Sequence, residues 1–408
     1  MMSVRTVADL ADSRISGTRV LVRVDFNVPM SPVGEIIDDT RIVRALPTLK
    51  YLLERGGRVV VISHLGRPKG GPDPAYSLRP VADHLATLLD FPVRFSPQLT
   101  GASAAAAVTD LKNGELLLME NTRFHPGETE NDPALSEALA DLGDLYVNDA
   151  FGSAHRAHAS TVGAAEVIRS RGGEAVAGFL MERELRYLGL ALEAPDRPFV
   201  AVLGGAKISG KIDVIQALLP RVTRLLIGGA MANTFFRALG LETGLSLVED
   251  DRVALARETL EKGGETILLP VDCVVAEDIS PQAETRVVER GDVGPADRIG
   301  DIGPASMALF ADALSEARTV VWNGPMGVFE MDPFAQGTLA VAEAVAEVTE
   351  AGGTTVVGGG DSVSAAEKAG VVQRLTHVST GGGASLEFLA GVPLPGVAAL
   401  DPKPGAEG

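Results

Sequence analysis

The stretch RVLVRVDFNVP, Arg19 to Pro29, sets the reading of the whole chain. A Val- and Leu-rich run ends abruptly in the polar turn DFNVP. A strand with one wet face would alternate apolar and polar residues, so a continuous run means that both faces are covered, as in a parallel sheet flanked by helices. The pattern recurs on either side of this stretch. It returns at RVVVIS (Arg58 to Ser63), LLLME (Leu116 to Glu120) and LYVND (Leu145 to Asp149). Further on it appears at FVAVLGG (Phe199 to Gly205), LLIGG (Leu225 to Gly229), TILLP (Thr266 to Pro270), TVVWNG (Thr319 to Gly324), TTVVGGG (Thr354 to Gly360) and HVSTGGG (His377 to Gly383). Helical patterns such as MERELRYLGLALE (Met181 to Glu193) and FAQGTLAVAEAVAEV (Phe334 to Val348) supply the crossovers that parallel strands need, and Ala102 to Ala107 reads as ordinary helix. This many strands overfills one comfortable open sheet. A Pro-containing break, EAPDRP (Glu193 to Pro198), follows a long helix. The expected fold is α/β: two doubly wound parallel-sheet (Rossmann-like) domains joined by a long helix and hinge, with a TIM barrel as the alternative.

Composition narrows the function. The chain has 408 residues, 46% hydrophobic, enough for two or three cores and too apolar for disorder. A single cysteine, Cys273, rules out an internal disulfide, and in its apolar VDCVVAED strand pattern it reads as inert packing. The start MMSVRTVADL lacks an apolar signal core, and no stretch approaches a membrane span, so a cytoplasmic protein with no membrane partner is expected. A net charge of −18 argues against nucleic acid. The charge is uneven: residues 1–180 carry 18 basic against 22 acidic residues, whereas residues 181–408 carry 18 against 32. Nearly all the bases of the first part are Arg, whose planar fork matches phosphate and carboxylate.

Ligands of open α/β sheets bind beyond the carboxyl ends of the strands. In the first half those ends carry Asp25 and Asn27, then His64 and Arg67, then Arg123, then His155, Arg156 and His158, with Arg41 shortly after the first. One arginine alone would read as solvated surface. Three at successive strand ends read as an anion site, while His155 and His158 read as packing or support. In the second half the strand ends are rich in glycine: GGAKISGK (Gly204 to Lys211), IGGAMANTF (Ile227 to Phe235), GGGDS (Gly358 to Ser362) and GGGAS (Gly381 to Ser385). Glycine lets the backbone approach phosphate oxygens, and the helix that follows offers free N–H groups. Gly205, Gly210 and Lys211 imitate a P-loop, but Ile212 stands where the Mg²⁺-binding hydroxyl belongs, so that assignment is rejected. Lys207 and Lys211 remain candidates for neutralising phosphate, Lys211 being the more ordinary helix-surface lysine. Asp361 is either a ligand of phosphate-bound Mg²⁺ or a plain N-cap. In WNGPMGVFE (Trp322 to Glu330), Trp322 reads as core and Glu330 as a carboxylate suited to ribose hydroxyls. A nicotinamide-dependent oxidoreductase would need G-x-G-x-x-G followed by an acidic residue, which is not found in order. A two-domain solute-binding protein would not need a second, glycine-rich edge.

VRVDFNVP, SHLGRP, ENTRFHPGE, NDAFGSAHRAH, GGAKISGKI, WNGPMGVFE and GGGDS, in this order, resemble the phosphoglycerate kinase family over nearly the whole chain. The resemblance implies transfer of a phosphoryl group between 1,3-bisphosphoglycerate and ADP, giving 3-phosphoglycerate and ATP, in a cytoplasmic monomer. It implies a phosphoglycerate domain over 1–178, an interdomain helix and hinge over 179–196, a nucleotide domain over 197–388, and a C-terminal segment, 389–408, returning to the first domain. By motif position, Asp25, Asn27, Arg41, His64, Arg67, Arg123 and Arg156 would hold the phosphoglycerate. Lys207, Ile299, Glu330, Gly359, Gly360, Asp361 and Ser362 would hold ATP or ADP, with Asp361 on Mg²⁺ and with Arg41 and Lys207 catalytic. The chain departs from the family at Ser362 (Thr is common), Ile299 (Gly is usual near the adenine) and Gly210 (Asp is usual), the last expected to weaken a helix. The tail from Asp401 reads as solvated and frayed. Acceptors already ionised at pH 7 need no general base. The expected chemistry is therefore electrostatic, with closure of the two domains excluding water.

Overall fold

The computed structural model describes residues 4–69 and 71–404. The chain forms two compact units, one made of the residues up to Arg186 together with those from Pro393 onward, the other of Tyr187–Val392. The first unit is built on β1 (Arg19–Val24), β2 (Arg58–Ile62), β3 (Val93–Ser96), β4 (Leu116–Met119), β5 (Leu145–Asp149) and β6 (Glu174–Ala177). They form one six-stranded sheet in the order β3-β4-β2-β1-β5-β6, parallel throughout. β1 is buried along nearly its whole length because helices cover both faces, which is what its apolar run, broken only by the buried Arg23, requires. Val20, Val22, Val59, Val61, Leu116 and Val147 share one core with Ile42, Leu49 and Leu52 of the helix Thr40–Glu54.

The second unit contains β7 (Phe199–Leu203), β8 (Arg224–Ile227), β9 (Ile267–Leu268), β10 (Asp272–Ala276), β11 (Arg286–Glu289), β12 (Arg298–Ile302), β13 (Thr319–Asn323), β14 (Thr354–Val357) and β15 (His377–Val378). Its six-stranded sheet runs β15-β14-β13-β7-β8-β9, again all parallel. Trp322 is fully buried in this core and donates Nε1–H to Gly324 O at 2.8 Å. A separate antiparallel sheet, β11-β10-β12, carries Cys273, and burial pushes that thiol up to about 12, so it is inert at neutral pH. The sequence reading did not include β3, β6, β11 or β12.

Two connections frame the first unit. The helix Phe179–Glu193 begins on its sheet, where Asp149 Oδ1 accepts from Leu180 N (2.9 Å) and Met181 N (3.2 Å), satisfying N–H groups that an isolated helix would leave free. The chain's last described segment also belongs to this unit. Gly396 N donates to Ala154 O at 2.8 Å, and Leu394, Val397 and Leu400 are buried. Asp401 is not frayed: its Oδ2 accepts from Ala175 N (2.9 Å), its carbonyl from Arg5 N (2.8 Å), and Arg169 Nε lies 2.7 Å from Oδ1. The rest of the tail expected to fray, beyond residue 404, lies outside the described residues.

Candidate active site

Strand order explains why the motifs converge. In the first unit the neighbours β4, β2, β1 and β5 are the four central strands, and their carboxyl ends lead into Arg123, into His64 and Arg67, into Asp25 and Asn27, and into Arg156. Arg67, Arg123 and Arg156 line one cavity of about 530 Å³, with Phe124 and His125 on its wall. Arg67 and Arg156 are exposed and Arg123 is half-buried. Gly66 is the pivot of this rim. Its N–H donates to Asn27 Oδ1 (2.7 Å), its carbonyl accepts from Arg123 Nη1 (2.6 Å), and at φ +60° a Cβ would come within 2.3 Å of the Tyr76 ring. Asn27 and Arg123 are thereby fixed through one peptide.

Asp25, Arg41 and His64 form a second group. Arg41 Nη1 stands 3.0 Å from Asp25 Oδ2. His64 Nδ1 is 4.0 Å from Asp25 Oδ1 and 3.0 Å from Nη2 of Arg23, a guanidinium 1% exposed. Because a guanidinium only donates, Nδ1 must accept, and the His64 proton sits on Nε2. Burial, with the cations Arg23, Arg123 and Arg41 around it, depresses His64 to about 3 despite the opposing pull of Asp25, so the imidazole is neutral at pH 7. For Asp25, burial raises the carboxyl, but the guanidinium charges of Arg41 and Arg23 and the hydrogen bond from Asn27 N outweigh it, and the group lies below its ordinary value. His158 is buried as well and likewise depressed, to about 4, by burial and by Arg23, Arg123 and Arg156, with Glu128 pulling the other way. It supports the site rather than lining the cavity.

In the second unit β7, β8, β14 and β15 lead into the four glycine-rich turns, and β13, between β14 and β7, leads into Gly324 and Pro325. A cavity of about 530 Å³ is lined by Gly205, Ala206, Gly229 and Ala230 on one side and by Ile299, Pro325, Val328, Glu330 and Asp361 on the other. Asp361 is exposed at the start of the helix Gly360–Lys368, and Glu330 is exposed. Gly359, at φ +93°, could not carry a side chain: a Cβ would lie 2.8 Å from Asn323 Nδ2. Lys211 is not the surface lysine that its position suggests. Its ammonium donates to Asn323 O at 2.7 Å and also to Asn323 Oδ1. Burial lowers it to about 8 against the attraction of Asp361. Lys207 is exposed on the turn between β7 and the helix Ile212–Leu218, and it does not line the cavity. Ser362 is buried, and its hydroxyl accepts from Gly324 N at 2.5 Å, so its oxygen braces the turn after β13. Ile299 lines the cavity with its N–H committed to Ser246 Oγ (2.9 Å). Gly210 precedes the helix, so the expected helix penalty does not arise. Among the described residues no group of three or more His, Cys, Asp or Glu could hold a metal ion by itself.

Sequence reasoning passed over the residues that hold these groups: Arg23, Asn121, Glu128 and Ser160. Asn121 is fully buried, accepting from Leu65 N and Arg123 N while donating to Leu65 O and Tyr76 O. A buried guanidinium in an apolar strand was the one available signal.

An arginine rim on one parallel sheet and a glycine-rich rim on the other, each at the carboxyl ends of the strands, are what a two-unit α/β phosphotransferase needs. The comparisons with known proteins are specific. The phosphoglycerate kinase family profile matches residues 10–392. The phosphoglycerate kinase of Chlorobium luteolum is 54% identical over 395 residues, 96% of this chain and 98% of that one. That of Chloroflexus aurantiacus is 56% identical over 390 residues, 94% and 96% respectively. The solved phosphoglycerate kinase structure from Coxiella burnetii superposes with a TM-score of 0.87 at 40% identity, covering 97% of this chain and 98% of that one. The chain belongs to the phosphoglycerate kinase family.

Proposed function

We propose that the chain catalyses reversible transfer of a phosphoryl group between 1,3-bisphosphoglycerate and ADP, giving 3-phosphoglycerate and ATP, as the cytoplasmic, monomeric enzyme of glycolysis. The observation that carries the reading is the convergence of Arg67, Arg123 and Arg156 on one cavity. Those arginines take the phosphate end of the three-carbon acid, each charge-assisted hydrogen bond contributing about 1.5–3 kcal/mol. Asp25 and Asn27 fix its hydroxyl and carboxyl end beside Arg41, and His64 offers Nε2–H as a neutral donor. The nucleotide lies in the other cavity, with Glu330 toward the ribose, Ile299 toward the base, and Gly359, Gly360 and the backbone of Ser362 toward the phosphates. Lys211 stands among those phosphate contacts.

No proton has to be removed, because both acceptors, a carboxylate in one direction and an ADP phosphate in the other, are ionised at pH 7. The obstacle is repulsion. Two unit charges 4 Å apart at an effective dielectric near 20 repel by about 4 kcal/mol. Arg41 and Lys207 offset that repulsion as the equatorial oxygens of the transferring group gain charge. Asp361, an exposed carboxylate on the nucleotide cavity, would hold Mg²⁺ delivered with a nucleotide. When bound there, the ion neutralises β- and γ-phosphate charge. A coupled assay for ATP formation from ADP and 1,3-bisphosphoglycerate tests the activity. Arg41→Ala should lower kcat far more than it weakens nucleotide binding, and the opposite pattern in steady-state kinetics would remove Arg41 from the reaction.

A further inference from the structure

Behind the arginine-lined cavity lies a carboxylate that the reaction does not touch. Glu128 has no exposed surface. Its Oε1 accepts from Ser160 Oγ (2.6 Å) and Thr122 Oγ1 (3.2 Å), and its Oε2 accepts from Ser160 N (3.0 Å). His158 Nδ1 stands 3.8 Å away. Ser160 Oγ in turn accepts from Nε of the buried Arg23 at 2.8 Å, and Arg23 reaches His64. Thr122 belongs to the loop after β4 that carries Arg123, and Ser160 to the loop after β5 that carries Arg156. One carboxylate therefore ties together the two loops that deliver the anion-binding arginines. The cations in front of it are crowded. Burial, then the neighbouring Arg23 and Arg156, pull the Arg123 guanidinium below its ordinary value, and Glu128 is the group that opposes them.

We infer that Glu128 is a positioning residue for phosphoglycerate recognition: it holds the Arg123 and Arg156 loops in register and, as their buried counter-charge, limits how tightly the acid is held. The inference rests on the reading that this cavity takes the phosphoglycerate.

The two parts of the role carry opposite signs, which separates it from simple packing. Glu128→Gln keeps the shape. The Ser160 N–H still finds a carbonyl, and the Ser160 and Thr122 hydroxyls can turn to accept from the new amide. The loops stay and the negative charge goes, so 3-phosphoglycerate should bind about 3- to 10-fold more tightly, with KM falling in step and kcat not rising. Ser160→Ala keeps the charge but removes the hydroxyl that joins Glu128 to Arg23, and binding should weaken about 3-fold or more. The measurement is titration calorimetry of 3-phosphoglycerate into the full chain, with steady-state kinetics alongside. Wild-type binding with an E128Q variant no tighter than wild type overturns the counter-charge. If E128Q does not fold, an S160A variant binding as tightly as wild type overturns the positioning role. Absence of wild-type binding would overturn the functional reading and this inference with it.

Discussion

His64 illustrates how a single side chain is tuned by what lies behind it. Its imidazole accepts from Arg23, a cation held inside a strand because its arms reach Ser160, the Val24 carbonyl and His64 itself. The unfolded chain takes up a proton at His64 near pH 6.5, whereas the folded chain refuses it down to about 3. The stability this contributes is fully present above pH 6.5 and is lost as pH falls toward 3, at about 1.4 kcal/mol per unit. Denaturant titrations between pH 7 and 4 should show a shallower acid slope for His64→Gln than for wild type. Lys211 gives a second prediction. With its ammonium at about 8 in the free protein, the nucleotide KM should rise between pH 7 and 9. Lys211→Met should weaken the nucleotide about tenfold or more, erase that rise, and leave 3-phosphoglycerate binding untouched. The arginines at the strand ends were legible in the sequence because each lies in the turn that follows an apolar run. Lys211 was not: its partner, Asn323, is 112 residues away, and a lysine next to a helix start reads as surface until the fold closes. Arg23 and Glu128 were hidden for the same reason, each satisfied by residues distant in sequence.

At the scale of the elements, strands that show a continuous apolar run were readable with their crossover helices, the two-residue edge strands β9 and β15 included, and strands without such a run were not. β3 has only one fully buried residue and β11 none, so neither shows the continuous apolar run of an inner strand. β12 contains Gly300, where a Cβ would strike the Phe334 ring at 2.2 Å, and the glycine obscured the strand that carries Ile299. The helix Phe179–Glu193 was visible from its periodicity, but not its cap. Asp149 does that work from the end of β5, and Gly178 is pressed against it so closely that a Cβ would lie 2.2 Å from Oδ1. Asp149→Ala should cost about 1–2 kcal/mol of stability through the lost cap, and Asp149→Asn distinctly less, since an amide oxygen still accepts. Urea titration of both variants checks the ordering.

For the whole molecule, each unit has its own sheet, its own core and its own ligand cavity. On the proposed reading the two reactants are taken up by different units, so transfer requires the bound acid and the bound nucleotide to be brought together and water to be shut out. Small-angle scattering with 3-phosphoglycerate and nucleotide both present should show a smaller radius of gyration than the free protein, and an unchanged radius would sink the closure mechanism.

The last described segment pairs with Ala154 and Ala175 of the first unit, so that unit is written in two pieces with the whole of Tyr187–Val392 between them. On a ribosome the consequence is an inversion of order. The second unit has its entire sequence available before the first can receive Gly396 and Asp401. The half whose synthesis starts earliest is thus the last to be finished, and a chain released early would carry a complete second unit and an incomplete first one.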